Sequence, residues 1–177
     1  TATEAARGMQ ELARAGLQTG DIISSSNAAL KFAGANATDM TTSTTLLAAT
    51  MAQFGLSTTQ SSRVVDTFTT ALQNSLLNVE TLQVAMRYAG AVGASFGRSL
   101  EETTAMVALF RDLGLEGSTA GTQVRQAFLR LASPTKKAKE VLKDYGIALE
   151  DINPRVRTFQ QILQTLADSG IAQDVPA

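Results

Sequence analysis

The chain has 177 residues and a formal net charge of −1, with 44% hydrophobic and 18% charged residues. It contains no Cys, His or Trp, which excludes disulfides, thiolate metal sites, imidazole acid–base chemistry and indole stacking platforms. Its charge balance provides no global basic field to recruit nucleic acid or an anionic membrane, and it has no apolar run of the ~18 residues that would suggest a membrane span.

Helical periodicity runs the length of the chain. Met40, Thr44, Leu47, Met51 and Phe54 step by four and three, as do Val79, Leu82, Met86, Ala89, Gly93 and Phe96. Each set lays one apolar stripe on one helix face, and β-branched alternation is missing. The prediction is all-α: a compact bundle of about nine short helices, each antiparallel to its neighbour, near residues 3–15, 20–33, 39–54, 58–75, 79–95, 100–113, 119–132, 134–144 and 154–168. The stops and starts are local. Thr38, Ser57, Asn78, Ser99, Ser118, Ser133 and Asn153 are candidate N-caps, with boxes at Ser57–Gln60 and Ser99–Glu102 and with Pro134 and Pro154 as first helical residues. Gly34, Gly55, Gly97, Gly114 and Gly146 are candidate stops. Residues 1–147 read as one helical domain, and 148–177 as a C-terminal helix with a frayed end. The start at Thr1 suggests a piece of a longer protein.

One pattern recurs. Ala52-Gln-Phe54-Gly55-Leu-Ser57 matches Ala94-Ser-Phe96-Gly97-Arg-Ser99 at a distance of 42 residues. Reuse of one helical-hairpin grammar explains it, as would an internal duplication. The expected core is Met51, Phe54, Val65, Phe68, Leu72, Leu82, Met86, Phe96, Val107, Phe110, Val124, Phe128 and Leu131.

Candidate chemistry is thin. Ser133-Pro-Thr-Lys136 has the S-x-x-K spacing of serine acyl enzymes but lacks their companion elements. Glu101-Glu102 and Glu150-Asp151 pair carboxylates, yet first-turn acids serve the helix dipole equally well. Lys136, Lys139 and Lys143 share a helix face, which reads first as a solvated surface. Gly93-x-x-x-Gly97 and Gly117-x-x-x-Gly121 point to close helix approach or plain termination. Arg125 and Arg130 flank an apolar stripe, either pairing with a carboxylate or lying with stems packed and heads in water. No catalytic, cofactor-binding or metal-binding residue is assigned.

The run Gly117-Ser-Thr-Ala-Gly121-Thr122-Gln-Val-Arg125 through Leu131-Ala-Ser-Pro134-Thr135-Lys136, ending at Tyr145-Gly146-Ile147, resembles the signature of phage tail tape measure proteins. Val79 through Tyr88 and Phe96 through Thr103 fit the same pattern. The family-motif residues are Gly121, Thr122, Arg125, Leu131, Pro134, Thr135, Lys136 and Gly146. The resemblance implies a structural virion component acting in tail assembly, length determination and DNA ejection. It would reside in the tail-tube lumen after assembly in the host cytoplasm. Its implied partners are tube, tip or baseplate proteins, assembly chaperones and other copies of itself, without membrane or nucleic-acid contact from this segment and without enzymatic activity. The alternative is a helical-repeat adaptor binding a cellular protein.

Dimensions set a further expectation. A continuous helix of this length would extend about 265 Å, whereas a packed domain is about 40 Å across. Gly and Pro inside a continuous helix cost about 1 and 3 kcal/mol each, so the stops favour a folded module over a measuring rod.

Overall fold

The computed structural model describes residues 2–14, 16 and 18–173. Among them are nine α-helices and no strand. In chain order they are α1 (Ala2–Arg14), α2 (Thr19–Ala35), α3 (Met40–Phe54), α4 (Ser61–Gln73), α5 (Val79–Ser95), α6 (Leu100–Asp112), α7 (Gly117–Ala132), α8 (Lys136–Asp144) and α9 (Phe159–Asp168). Short 3-10 turns lie at Thr58–Gln60 and Ile171–Gln173.

Helices α1–α7 form two layers. In one, α3 packs on α1, α5 on α3 and α7 on α5; in the other, α4 packs on α2 and α6 on α4. Consecutive helices alternate between the layers, so α2, α3 and α6 meet both their chain neighbours, and each of α1–α7 meets a helix two places away in the chain. A single stripe cannot satisfy both demands, which is why the core draws small residues as well as large ones. Ala28, Ala29, Ala85 and Ala89 are buried among Phe32, Leu47, Met51, Phe68, Leu82, Met86, Val107 and Phe128. Phe32 meets Phe68 edge-on at 6.4 Å, and Phe96 stacks on Phe128 at 5.6 Å. A smaller cluster of Leu142, Ile147, Ile152 and Ile162 joins α8, the following loop and α9, with Leu131 of α7 packed against it.

Most expected core positions are buried, but Phe54, Leu72, Phe110 and Leu131 are only half-buried, because they sit where a layer ends or meets the smaller cluster. The 42-residue echo corresponds to the α3–α4 and α5–α6 corners. Gly55 and Gly97 both adopt left-handed φ, +61° and +72°, which Gly reaches without a Cβ penalty.

Several boundaries differ from the sequence reading. Asp39, not Thr38, caps α3, its carboxylate accepting from the Thr42 N–H at 2.9 Å. Gly34 stays inside α2, which runs to Ala35 with Asn36 as its C-cap, while Ala37 takes the positive φ. Glu116 takes the N-cap position of α7 in place of Ser118. Ser133 closes α7 instead of opening α8, and Thr135 caps α8 by accepting from the Ala138 N–H at 3.2 Å. Pro134 therefore precedes the helix, because the Thr135 hydroxyl takes the cap position one residue later. Asn153-Pro154 lies in a run of turns, and α9 begins at Phe159 under a Thr158–Gln161 capping box. At the other boundaries, the Ser57–Gln60 box opens the 3-10 turn before α4, and Asn78 caps α5 with Thr81. Of the expected frayed end, residues 174–177 lie outside the described residues, as does position 15 of the first predicted helix.

Candidate functional site

Helices α5 and α7 approach along one seam, closely enough that glycines on α7 face the α5 backbone. A Cβ on Gly121 would stand 2.3 Å from the Ala85 carbonyl oxygen, and one on Gly117 would stand 2.8 Å from that of Thr81. Both obstacles are backbone, so no rotamer change relieves them. The Gly117-x-x-x-Gly121 spacing places two missing side chains one turn apart on one face, which lets the helix axes close. The other repeat divides its tasks: Gly93 faces Thr103 of α6, its Cβ position 2.3 Å from Oγ1, whereas Gly97 terminates α5.

Beyond that seam, α7 turns through Ser133 and Pro134 into α8. Thr122 is half-buried and Arg125 exposed, and no ion pair among the described residues engages Arg125. Leu131 and Pro134 line a groove of about 440 Å³ with Leu142, Ile152 and Leu166, and Arg130 and Lys137 stand at its edge. Thr135 caps α8, Lys136 is its exposed first residue, and Gly146 ends it at φ +70°. The motif residues thus split into a helix-contact half around Gly121 and a corner half from Leu131 to Gly146.

The carboxylate pairs do not converge. Glu101 reaches Arg63 of α4 in a bidentate pair, 2.6 Å from Nε and 2.8 Å from Nη2. The Arg63 guanidinium holds the Glu101 carboxyl down to about 2, against a smaller opposing effect of burial. Glu102 turns the other way, accepting the Phe159 N–H and approaching Arg98 to 3.7 Å. The Ser99 hydroxyl accepts the Glu102 N–H, so only one arm of the expected capping box forms. Asp151 binds Arg157 at 2.8 Å, and Glu150 is exposed on a turn. Ser133 closes α7 and Lys136 opens α8, and both are exposed. No helix among the described residues is long and apolar enough to cross a membrane.

Residues 1–174 match the family described as phage-related minor tail protein. The chain is 33% identical over 176 residues to the tape measure protein of Pneumococcus phage Dp-1 and 30% identical over 169 residues to the probable tape measure protein of Escherichia phage P2.

The chain belongs to the phage tail tape measure family.

It covers 98% and 96% of itself in those two matches but spans only 15% and 21% of the relatives' lengths. No solved structure matches it. In this tape measure segment the signature residues divide between the α5–α7 seam around Gly121 and the α7–α8 corner, where Leu131, Pro134 and Thr135 line one groove. Sequence reasoning found that signature, but it missed the Arg63–Glu101 link, the turn of Glu102 toward α9 and a groove between α4 and α6 lined by Ala71, Ala105 and Ala108. The i,i+4 spacing that marks helix faces gives no sign of which remote element a surface acid will meet.

Proposed function

We propose that this segment is a compact, non-enzymatic structural module of a tail tape measure protein, acting in tail assembly, length determination and DNA ejection. The observation that carries this reading is that the described residues divide into nine short helices, seven of them stacked in two layers. A ruler measures by extension, and at about 1.5 Å per residue only an unbroken helix would convert this segment into length. Stacked layers instead give it faces for binding, so the module anchors the tape at an end or is remodelled as the tail is built. Its site of action on this reading is the tail lumen, after assembly in the host cytoplasm, and its partners are other tail proteins. The two-layer stacking is also the geometry of helical-repeat adaptors, which supports a protein-binding role within the same assembly.

In-frame deletion within 39–132 in the parent phage, with tails measured by electron microscopy, tests the anchor reading. Loss of assembled tails is the expected outcome. Viable particles whose tails shorten in proportion to the deletion would contradict it.

A further inference from the structure

We propose that the groove between α4 and α6 receives the lysine-rich helix α8 of a second copy of this chain. The groove encloses about 620 Å³ between two helices whose facing side chains are small: Ala71 on one side, Ala105 and Ala108 on the other, with half-exposed Leu109 at the wall. Such a floor brings a third helix within close packing distance. A second observation points the same way. Thr104 also lines the groove with its side chain 1% exposed, and its hydroxyl has no hydrogen-bond partner.

Charge selects the occupant. Asp66, Glu101 and Asp112 stand around the groove, and only Glu101 is in an ion pair. Residues 117–143 carry six basic side chains against one acid in a chain of net charge −1. Four of those six are the lysines of α8, and no ion pair among the described residues includes one of them. Lys136, Lys139 and Lys143 share one exposed face. Their aliphatic stems can lie on an alanine floor while the ammonium groups reach the rim carboxylates. Within one copy, α8 does not line this groove, so the two complementary surfaces satisfy each other only between copies. Groove and helix are different patches of the same chain, and the contact is therefore reciprocal in a dimer or head-to-tail in a longer assembly. This inference is read from the chain's own surfaces and does not rest on the tail role.

The test is sedimentation equilibrium of the 177-residue chain across a concentration series at low and at high salt. Expected is a concentration-dependent association that weakens at least tenfold with added salt. K136E/K139E/K143E and D66K/D112K should each be monomeric while keeping the wild-type circular dichroism spectrum. Mixing the two variants should restore a complex, because the exchanged charges face each other again. If the wild type stays monomeric at low salt, the proposal fails. It fails equally if the wild type stays monomeric while a synthetic peptide of residues 134–148 still binds the groove, which would assign the groove to another protein's helix. Association that survives both sets of substitutions would place the contact elsewhere and also overturn it.

Discussion

The Glu102 carboxylate in the first turn of α6 accepts a hydrogen bond from the Phe159 backbone N–H, 57 residues later, at the first position of α9. A helix start leaves N–H groups without partners, and a carboxylate there meets both the orphan donor and the positive end of the dipole. Arg98 supports the arrangement from the other side, donating to the Arg157 carbonyl at 2.9 Å and flanking Glu102. Replacing Glu102 with Ala should loosen α9 by about 1.5–3 kcal/mol, the range for a hydrogen bond to a charged group. Amide exchange should rise across 159–168 and stay unchanged in α5 and α7, whereas Glu102→Gln, which keeps an acceptor, should have a smaller effect.

The seam between α5 and α7 makes a prediction of sign. Gly121→Ala gains helix propensity of up to about 1 kcal/mol, but its methyl meets the Ala85 backbone. Overpacking of that kind costs about 1–3 kcal/mol and is worst where nothing flexible can yield, so the variant should melt lower. Gly34→Ala, in α2 with nothing within 4 Å of its Cβ position, should instead gain about 0.5–1 kcal/mol. Opposite shifts in thermal denaturation check the pair together.

Phe128 is fully buried and stacked on Phe96, whereas Phe110 is half-buried at the edge of the same cluster. Phe128→Ala should cost about 3–5 kcal/mol, and Phe110→Ala distinctly less. Urea denaturation of the two variants separates them.

Glu101 sets an acid-dependent contribution. Its folded carboxyl titrates at about 2 against an ordinary 4.5. The unfolded chain therefore takes up the proton first as acid is added, and the stabilisation is complete above about pH 4.5 and lost as pH falls toward 2. Both side chains of the pair are nearly half exposed, so the contribution is below about 1 kcal/mol after solvent screening. Glu101→Gln should flatten the stability profile between pH 4.5 and 2 and leave the slope above pH 6 unchanged.

What could be read from the sequence follows from what is local. The Asn78 cap and the stops at Gly55 and Gly97 depend on bonds spanning three to five residues, and all three stand where the spacing puts them. The family signature was legible because Gly121, Thr122, Arg125, Leu131, Pro134, Thr135 and Lys136 stand in one short ordered run. Proline misled the reading: Pro134 and Pro154 both suit a first helical turn, yet each precedes its helix, while the Thr158–Gln161 box that opens α9 carried the better signal. The two-layer order was not legible. Periodicity says which face of a helix is apolar, but not that α5 rests on α3 and carries α7. The α4–α6 groove arises only when Ala71, Ala105 and Ala108 are brought side by side, and none of them is distinctive alone.

Small-angle X-ray scattering from this 177-residue chain tests most directly whether it is a folded module. Stacked helices predict a radius of gyration of about 16 Å for the monomer, extrapolated to zero concentration. A value several times larger, approaching the roughly 77 Å of a continuous helical rod, would contradict the account.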